Sequence, residues 1–193
     1  MERDQLEHVI RAASAITQET EFVIIGSQSI LGAFPDAPES LLASNELDIY
    51  PRMHWETLSD LIDGSIGEGS PFNETFGYYA QGVDPGTAVL PAGWEGRLTK
   101  VATPATGGGI GYCIDVHDLA LSKYVADRPK DRAFNQELIR QGMVDLVKLR
   151  KRVDLLPVED DRKTLILLAI ERDEKAVAEA SPPQAPAARS RNQ

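Results

Sequence analysis

The chain has 193 residues, 42% of them hydrophobic, which is long enough and apolar enough for a globular core. Its 20 Lys and Arg against 30 Asp and Glu leave a formal net charge of -10, which argues against broad, non-specific wrapping of nucleic acid but not against a local basic patch. The single cysteine, Cys113, excludes an internal disulfide and a Cys-rich zinc site, and between Tyr112 and Ile114 it reads as a small buried hydrophobe.

The start, MERDQLEHVIRAA, is charged and helical in pattern, unlike a signal peptide. No apolar run approaches membrane-spanning length, so a cytoplasmic protein without membrane contact is expected. Residues 3–18 space Leu6, Val9, Ile10, Ala13 and Ile16 at near-helical intervals and predict an amphipathic first helix. Residues 22–25 then read as a buried strand running into Gly26 and Ser27. Gly26, without a Cβ, lets the backbone pass close to a ligand. Ser27 suits two roles, the N-cap of a helix over 28–33 or a hydroxyl and amide offered to phosphate.

After a Pro-, Ser- and Ala-rich loop over 35–44, a second strand over 46–50 carries Glu46 and Asp48. Side chains at i and i+2 leave a strand on one face, so Leu47 and Ile49 can face the core while both carboxylates enter a cleft. Two like charges this close are costly unless a cation joins them. Mg²⁺ held by one or two carboxylates plus substrate phosphates is the ordinary solution. Solvated surface is the plainer account of the same pair.

Pro51 ends the second strand, and a short helix is expected over 55–62. The following GSIGEGSPF lacks the order and lysine of a Walker loop and reads as a turn. Residues 72–79 fit a short helix or a strand, 81–91 hold turn signals, and 94–102 read as a strand with Arg97 and Lys100 on a polar face. A Gly-rich hinge, TPATGGGIG, precedes a strand over 112–116. Asp115 lies on the face opposite Ile114 and Val116, which makes it a candidate third carboxylate or a helix cap. His117 has no second histidine at ligand spacing and is expected to be hydrogen-bonded or solvent-facing rather than metal-bound.

A helix over 118–126 carries Lys123. This lysine can pair with Asp127 at i+4 or hold a triphosphate as a point charge, and periodicity does not choose between them. Pro129 should end that helix and open the next at its first turn. Three helices are expected over 131–141, 143–155 and 159–177. The middle one bears Lys148, Arg150, Lys151 and Arg152, either a solvated face or a local landing site for phosphate backbone. From 178 the chain turns to SPPQAPAARSRNQ, whose composition predicts a disordered tail.

Taken together, GSQSI, SNELDIYPR, CIDVHDLALSKYVADRPKDRAF and the closing DLVKLRKRVDLLP resemble the DUF6036-type nucleotidyltransferase-like proteins. Those are relatives of the type IV abortive-infection toxin nucleotidyltransferases within the DNA polymerase β-like superfamily. The likeness spans about residues 3–157. The K-x₇-D spacing of Lys123 and Asp131 is its most distinctive part, whereas Gly-Ser plus an acidic pair is common to the superfamily. The resemblance implies an α/β (α+β) fold: a small mixed sheet over 1–116 with helices packed on it, a helical C-terminal part over 117–177, and the tail beyond.

It also implies roles. Gly26 and Ser27 match the turn that contacts nucleotide phosphates, and Glu46 and Asp48 the metal-binding pair, with Asp115 matching the third carboxylate by position. Lys123 matches the lysine that engages the nucleotide and Asp131 the later catalytic-site acid, flanked by Arg128 and Lys130. The implied reaction moves a nucleotidyl group from an NTP to a hydroxyl of RNA, a tRNA 3′ end included, or of protein. It uses Mg²⁺ or Mn²⁺ and is performed as a toxin with an antitoxin protein as partner. Two features depart from the pattern: the first acid is Glu46 rather than Asp, and it stands 19 positions after Ser27. A non-catalytic binding or regulatory component of a toxin–antitoxin system, or a hydrolase using water as acceptor, remains a competing reading.

Overall fold

Strand β1 (Glu21–Ile24) buries Phe22, Val23 and Ile24 in succession, the mark of a strand covered on both faces. In the computed structural model, which describes residues 1–180, it is the central strand of a five-stranded sheet. The other strands are β2 (Glu46–Pro51), β3 (Tyr79–Gly82), β4 (Thr99–Val101) and β5 (Ile110–Cys113), in the order β3-β2-β1-β5-β4. Pairs β1–β2 and β4–β5 are antiparallel, while β1–β5 and β2–β3 are parallel, so the sheet is mixed as expected.

Register sets the faces. Ile24 lies opposite Ile49 and Phe22 opposite Pro51. Leu47 and Ile49, both without exposure, therefore share the face covered by helices α1 (Arg3–Thr17) and α3 (Trp55–Ile66), and Glu46 and Asp48 point the other way. Helix α1 contributes Leu6, Val9, Ile10 and Ala13 at the spacing expected of an amphipathic helix. Two short helices, α2 (Ile30–Ala33) and α4 (Pro71–Phe76), complete the N-terminal part.

Among the described residues four helices follow β5: α5 (Val116–Ala126), α6 (Pro129–Arg140), α7 (Leu146–Val153) and α8 (Asp160–Ala180). Asp127, at φ 53, closes α5, and Pro129 opens α6 at its first turn. Helix α8 runs three residues past the expected boundary, and the remainder of the expected tail, 181–193, lies outside the described residues.

Several elements differ from the sequence expectation. Residues 94–97 form a 3-10 turn, not a strand, because Gly93 takes φ 76 and Arg97 is drawn out of line toward buried Asp118; only Thr99–Val101 joins the sheet. The strand expected over 112–116 is Ile110–Cys113, since Asp115 already caps α5. The alternative left open at 72–79 resolves into both forms, α4 followed by β3.

An ion network ties the C-terminal helices to the 91–98 segment. Asp118, without exposure, accepts from Arg97 Nε at 2.8 Å and Arg152 Nη1 at 2.8 Å, and Arg152 also pairs with Asp115. Arg97 in turn donates to the carbonyls of Pro91 and Ala92. Half of the basic run on α7 is thus structural, with Arg152 in this network and Arg150 paired to Glu174, while Lys148 and Lys151 are exposed. Replacing Asp118 with Ala leaves two guanidinium groups facing a buried vacancy, and a loss of about 3 kcal/mol is expected, measured by urea unfolding against Asp161→Ala on the exposed end of α8.

Candidate active site

The chain leaves β1 through Ile25 and Gly26. Gly26 takes φ 67 and ψ -170, a backbone region essentially confined to glycine. A Cβ there would stand 1.8 Å from Asp48 Oδ2, so the Asp48 carboxylate rests directly against the Gly26 backbone. A 3-10 turn, Ser27–Ser29, follows, with Ser29 N and Ser29 Oγ both donating to the Gly26 carbonyl at 3.2 and 2.8 Å. Ser27 makes no cap with its side chain; its Oγ accepts from Lys123 Nζ at 2.9 Å instead.

Glu46 and Asp48 emerge on one face of β2, both half-buried. Burial first, then the neighbouring Glu46 carboxylate and a hydrogen bond with it, push the Asp48 carboxyl up to about 7, against the pull of Lys123 and Lys130. Neither acid forms an ion pair among the described residues, whereas Asp115, Asp118 and Asp131 each do. Glu46 Oε2 accepts from the Tyr79 hydroxyl at 3.1 Å. Burial and the Glu46 charge push that phenol up to about 12, so it remains a donor at neutral pH.

Lys123 comes from α5 and is buried. Its Nζ donates to Ser27 Oγ and to Asp131 Oδ1 at 3.3 Å, and sits 4.3 Å from the centre of the Phe134 ring. Burial draws its ammonium below the ordinary lysine range, with Asp131 opposing. The i+4 partner considered from sequence, Asp127, pairs with Arg132 instead. Asp131, at the third position of α6, has no exposure and accepts from the Arg128 backbone N at 3.3 Å, Nε at 2.6 Å and Nη2 at 3.2 Å. Burial alone would raise this carboxyl; the Arg128 hydrogen bonds and the Lys123 charge outweigh it and hold it below the usual carboxylate range.

These residues meet at one cavity of about 910 Å³, lined among others by Gly26, Ser27, Glu46, Asp48, Lys123 and Arg128. Lys130 and Phe134 line it too. Asp131 stands behind Lys123 and is not part of the wall. Asp115, the candidate third carboxylate, is also off the wall. It caps α5 by accepting from His117 N at 2.9 Å and pairs with Arg152, contacts that hold its carboxyl well below the usual range despite its burial. Of the two roles expected for His117 the hydrogen-bonded one holds: the ring is buried, with Nδ1 bonded to Asp115 and Nε2 accepting from Asp145 N. Cys113 is buried and free, and burial pushes its thiol up to about 12, an inert state.

Among the described residues no group of three or more His, Cys, Asp and Glu side chains could hold a metal ion. Glu137 also lines the cavity but pairs with Arg140, so the donor set free of ion pairs is Glu46 and Asp48. That set suits a hard divalent cation whose remaining ligands are ligand oxygens and water, and it does not suit zinc. Sequence reasoning missed Tyr79, Phe134 and the cavity position of Lys130. The turn at Gly77 followed by the alternation of Tyr79, Ala80 and Gln81 was the available trace of β3.

A family model described as "Nucleotidyltransferase of unknown function (DUF6036)" matches residues 4–177, and the chain belongs to that family. No curated protein and no solved structure matches it.

Gly26→Ala is expected to cost about 1–3 kcal/mol from backbone strain alone and to displace Asp48, lowering the midpoint of thermal unfolding. For Asp48, a folded value of about 7 against 3.8 for the free side chain means the ligand-free fold binds this proton more tightly. Its stabilising share is complete below pH 3.8 and lost as pH rises through about 7. Asp48→Asn removes that loss, so calorimetry from pH 4 to 8 should give the variant a flatter profile and a higher midpoint than the parent at pH 8.

Proposed function

We propose that this family member is a divalent-metal-dependent nucleotidyltransferase that moves a nucleotidyl group from an NTP to a hydroxyl of RNA or protein. One observation carries the reading: Glu46 and Asp48, which form no ion pair among the described residues, share a single cavity with a buried lysine, Lys123, and the glycine turn that touches Asp48. Cation-seeking and phosphate-seeking groups in one cleft suit a metal–triphosphate complex.

Glu46 and Asp48 would hold the cation, Mg²⁺ or Mn²⁺, which when bound supplies charge neutralisation at the phosphates. Lys123, fixed by Ser27 and Asp131, holds the triphosphate as a point charge, with Arg128 and Lys130 beside it. Asp131 orients Lys123 and Arg128 rather than touching substrate. The acceptor oxygen forms a bond to the α-phosphorus as the bond to the departing pyrophosphate breaks, and the acceptor proton passes to the Asp48 carboxylate. RNA, a tRNA 3′ end included, is the acceptor class that the family likeness favours. A toxin role with an antitoxin partner belongs to the same likeness.

The rival, a non-catalytic binding or regulatory component, draws support from the commitment of Asp115 to its cap and ion pair, which leaves Glu46 and Asp48 without a third unpaired acid at the cavity, Glu137 being paired with Arg140. Incubation with each labelled NTP, Mg²⁺ or Mn²⁺, and either total RNA or protein separates the two. Transfer that falls to background in Asp48→Ala is the expected result. Nucleotide binding without transfer to any acceptor favours the rival, and neither binding nor transfer sinks both. Lys123→Ala is expected to weaken nucleotide binding about 10–100-fold with the circular dichroism spectrum intact.

A further inference from the structure

The geometry points to Tyr79 as a positioning residue: its hydroxyl fixes Glu46 Oε2 so that the longer glutamate carboxylate is held beside Asp48 as a ligand for the divalent cation. The inference rests on the nucleotidyltransferase reading and deepens it at the acid that departs from the family pattern.

Glutamate has one more side-chain torsion than aspartate, and a small divalent cation such as Mg²⁺ demands near-ideal placement of its oxygens. A glutamate in this role needs something to remove its extra freedom. Tyr79 stands directly opposite Glu46 in the parallel β2–β3 register, so both side chains leave the sheet on the cavity face. The hydroxyl donates to Oε2 at 3.1 Å. The anchor is itself rigid. Tyr79 N donates to Asn45 O at 3.0 Å, and Ala80 is wholly buried beside Leu47 on the opposite face. At the end of β3, Gly82 packs so closely on α3 that a Cβ would lie 1.9 Å from Ser59 O, while Ser59 Oγ donates to Val83 O at 2.7 Å.

The chemical type of the anchor matters as much as its place. A lysine or arginine there would neutralise Glu46 and compete with a cation. A phenol orients one oxygen and leaves the negative charge on the carboxylate. That contrasts with Asp131, whose two oxygens are both taken by cationic side chains. Metal ligands are commonly held by such hydrogen bonds from outside the coordination sphere, and losing one typically weakens metal binding about 10–100-fold.

The test uses the full chain and Mn²⁺ as probe, with free Mn²⁺ followed by electron paramagnetic resonance, alone and with a non-hydrolysable NTP analogue. Tyr79→Phe keeps the ring and removes one hydroxyl. It is expected to weaken Mn²⁺ binding about tenfold. In a Glu46→Gln background the same change should have no further effect, because the tyrosine acts through that carboxylate. In a Glu46→Asp background, where the shorter side chain needs less restraint, the loss should shrink. Equal Mn²⁺ affinity of Tyr79→Phe and the parent overturns the inference while leaving the metal site standing. So does an equal loss with and without the Glu46 carboxylate, which would mark Tyr79 as merely structural. A parent chain that binds no Mn²⁺ in either condition overturns the metal-site reading and this inference with it.

Discussion

The register between β1 and β2 is the constraint on which everything else rests. With Ile24 opposite Ile49, Leu47 and Ile49 enter the core and Glu46 and Asp48 leave it on the opposite face. A slip of one residue would bury two carboxylates and expose two large aliphatic side chains, each contributing about 1.5–3 kcal/mol when buried, so the apolar pattern holds the acidic pair in place. The same register brings Asp48 against Gly26, where the backbone has no side chain to push it away. Hydrophobic packing thus supplies the force that keeps two acids together without an ion-pair partner among the described residues.

Two groups of acids in this protein contrast. Asp115, Asp118 and Asp131 are buried or half-buried and bound to arginine, lysine or backbone N–H groups, so their charge is cancelled within the fold and they act as joints. Glu46 and Asp48 are half-buried, and among the described residues their carboxylates have only a phenol and each other as partners. An unfavourable local arrangement that the rest of the structure maintains is what a site for an external cation requires. The family assignment covers both groups, since the matched region runs from α1 into α8.

Much of this was legible in the sequence. The apolar run before Gly26, the alternation that sends Glu46 and Asp48 to one side, and the break at Pro129 follow from backbone periodicity and the missing N–H of proline. Lys123 could be named by likeness but not resolved by spacing, because an i+4 pair with Asp127 satisfies the same pattern; only the long-range contact with Ser27 distinguishes them. Asp115 was ambiguous for a similar reason. A strand-end acid and a helix cap look alike until the helix start is fixed, and here the helix starts one residue later. The 94–97 segment misled because charged residues interleaved with Trp94, Leu98 and Val101 mimic a strand, while a tertiary pull from Asp118 decided its course. Tyr79 lay in a four-residue strand too short to signal itself.

The cavity has a polarity. Its sheet side carries the acids Glu46 and Asp48, and its helix side carries Lys123, Arg128 and Lys130, with the paired Glu137 and Arg140 cancelling each other. Like a gap between oppositely charged plates, it discriminates by orientation as well as by net charge. A bare polyanion meets attraction on one wall and repulsion on the other, and a bare cation meets the reverse. An ion pair that enters with its metal toward the sheet and its phosphates toward α5 and α6 is welcomed by both walls. Reversed, the same pair is rejected by both. A metal–nucleotide complex of the kind proposed would therefore be oriented by the two walls before any contact with its base is made.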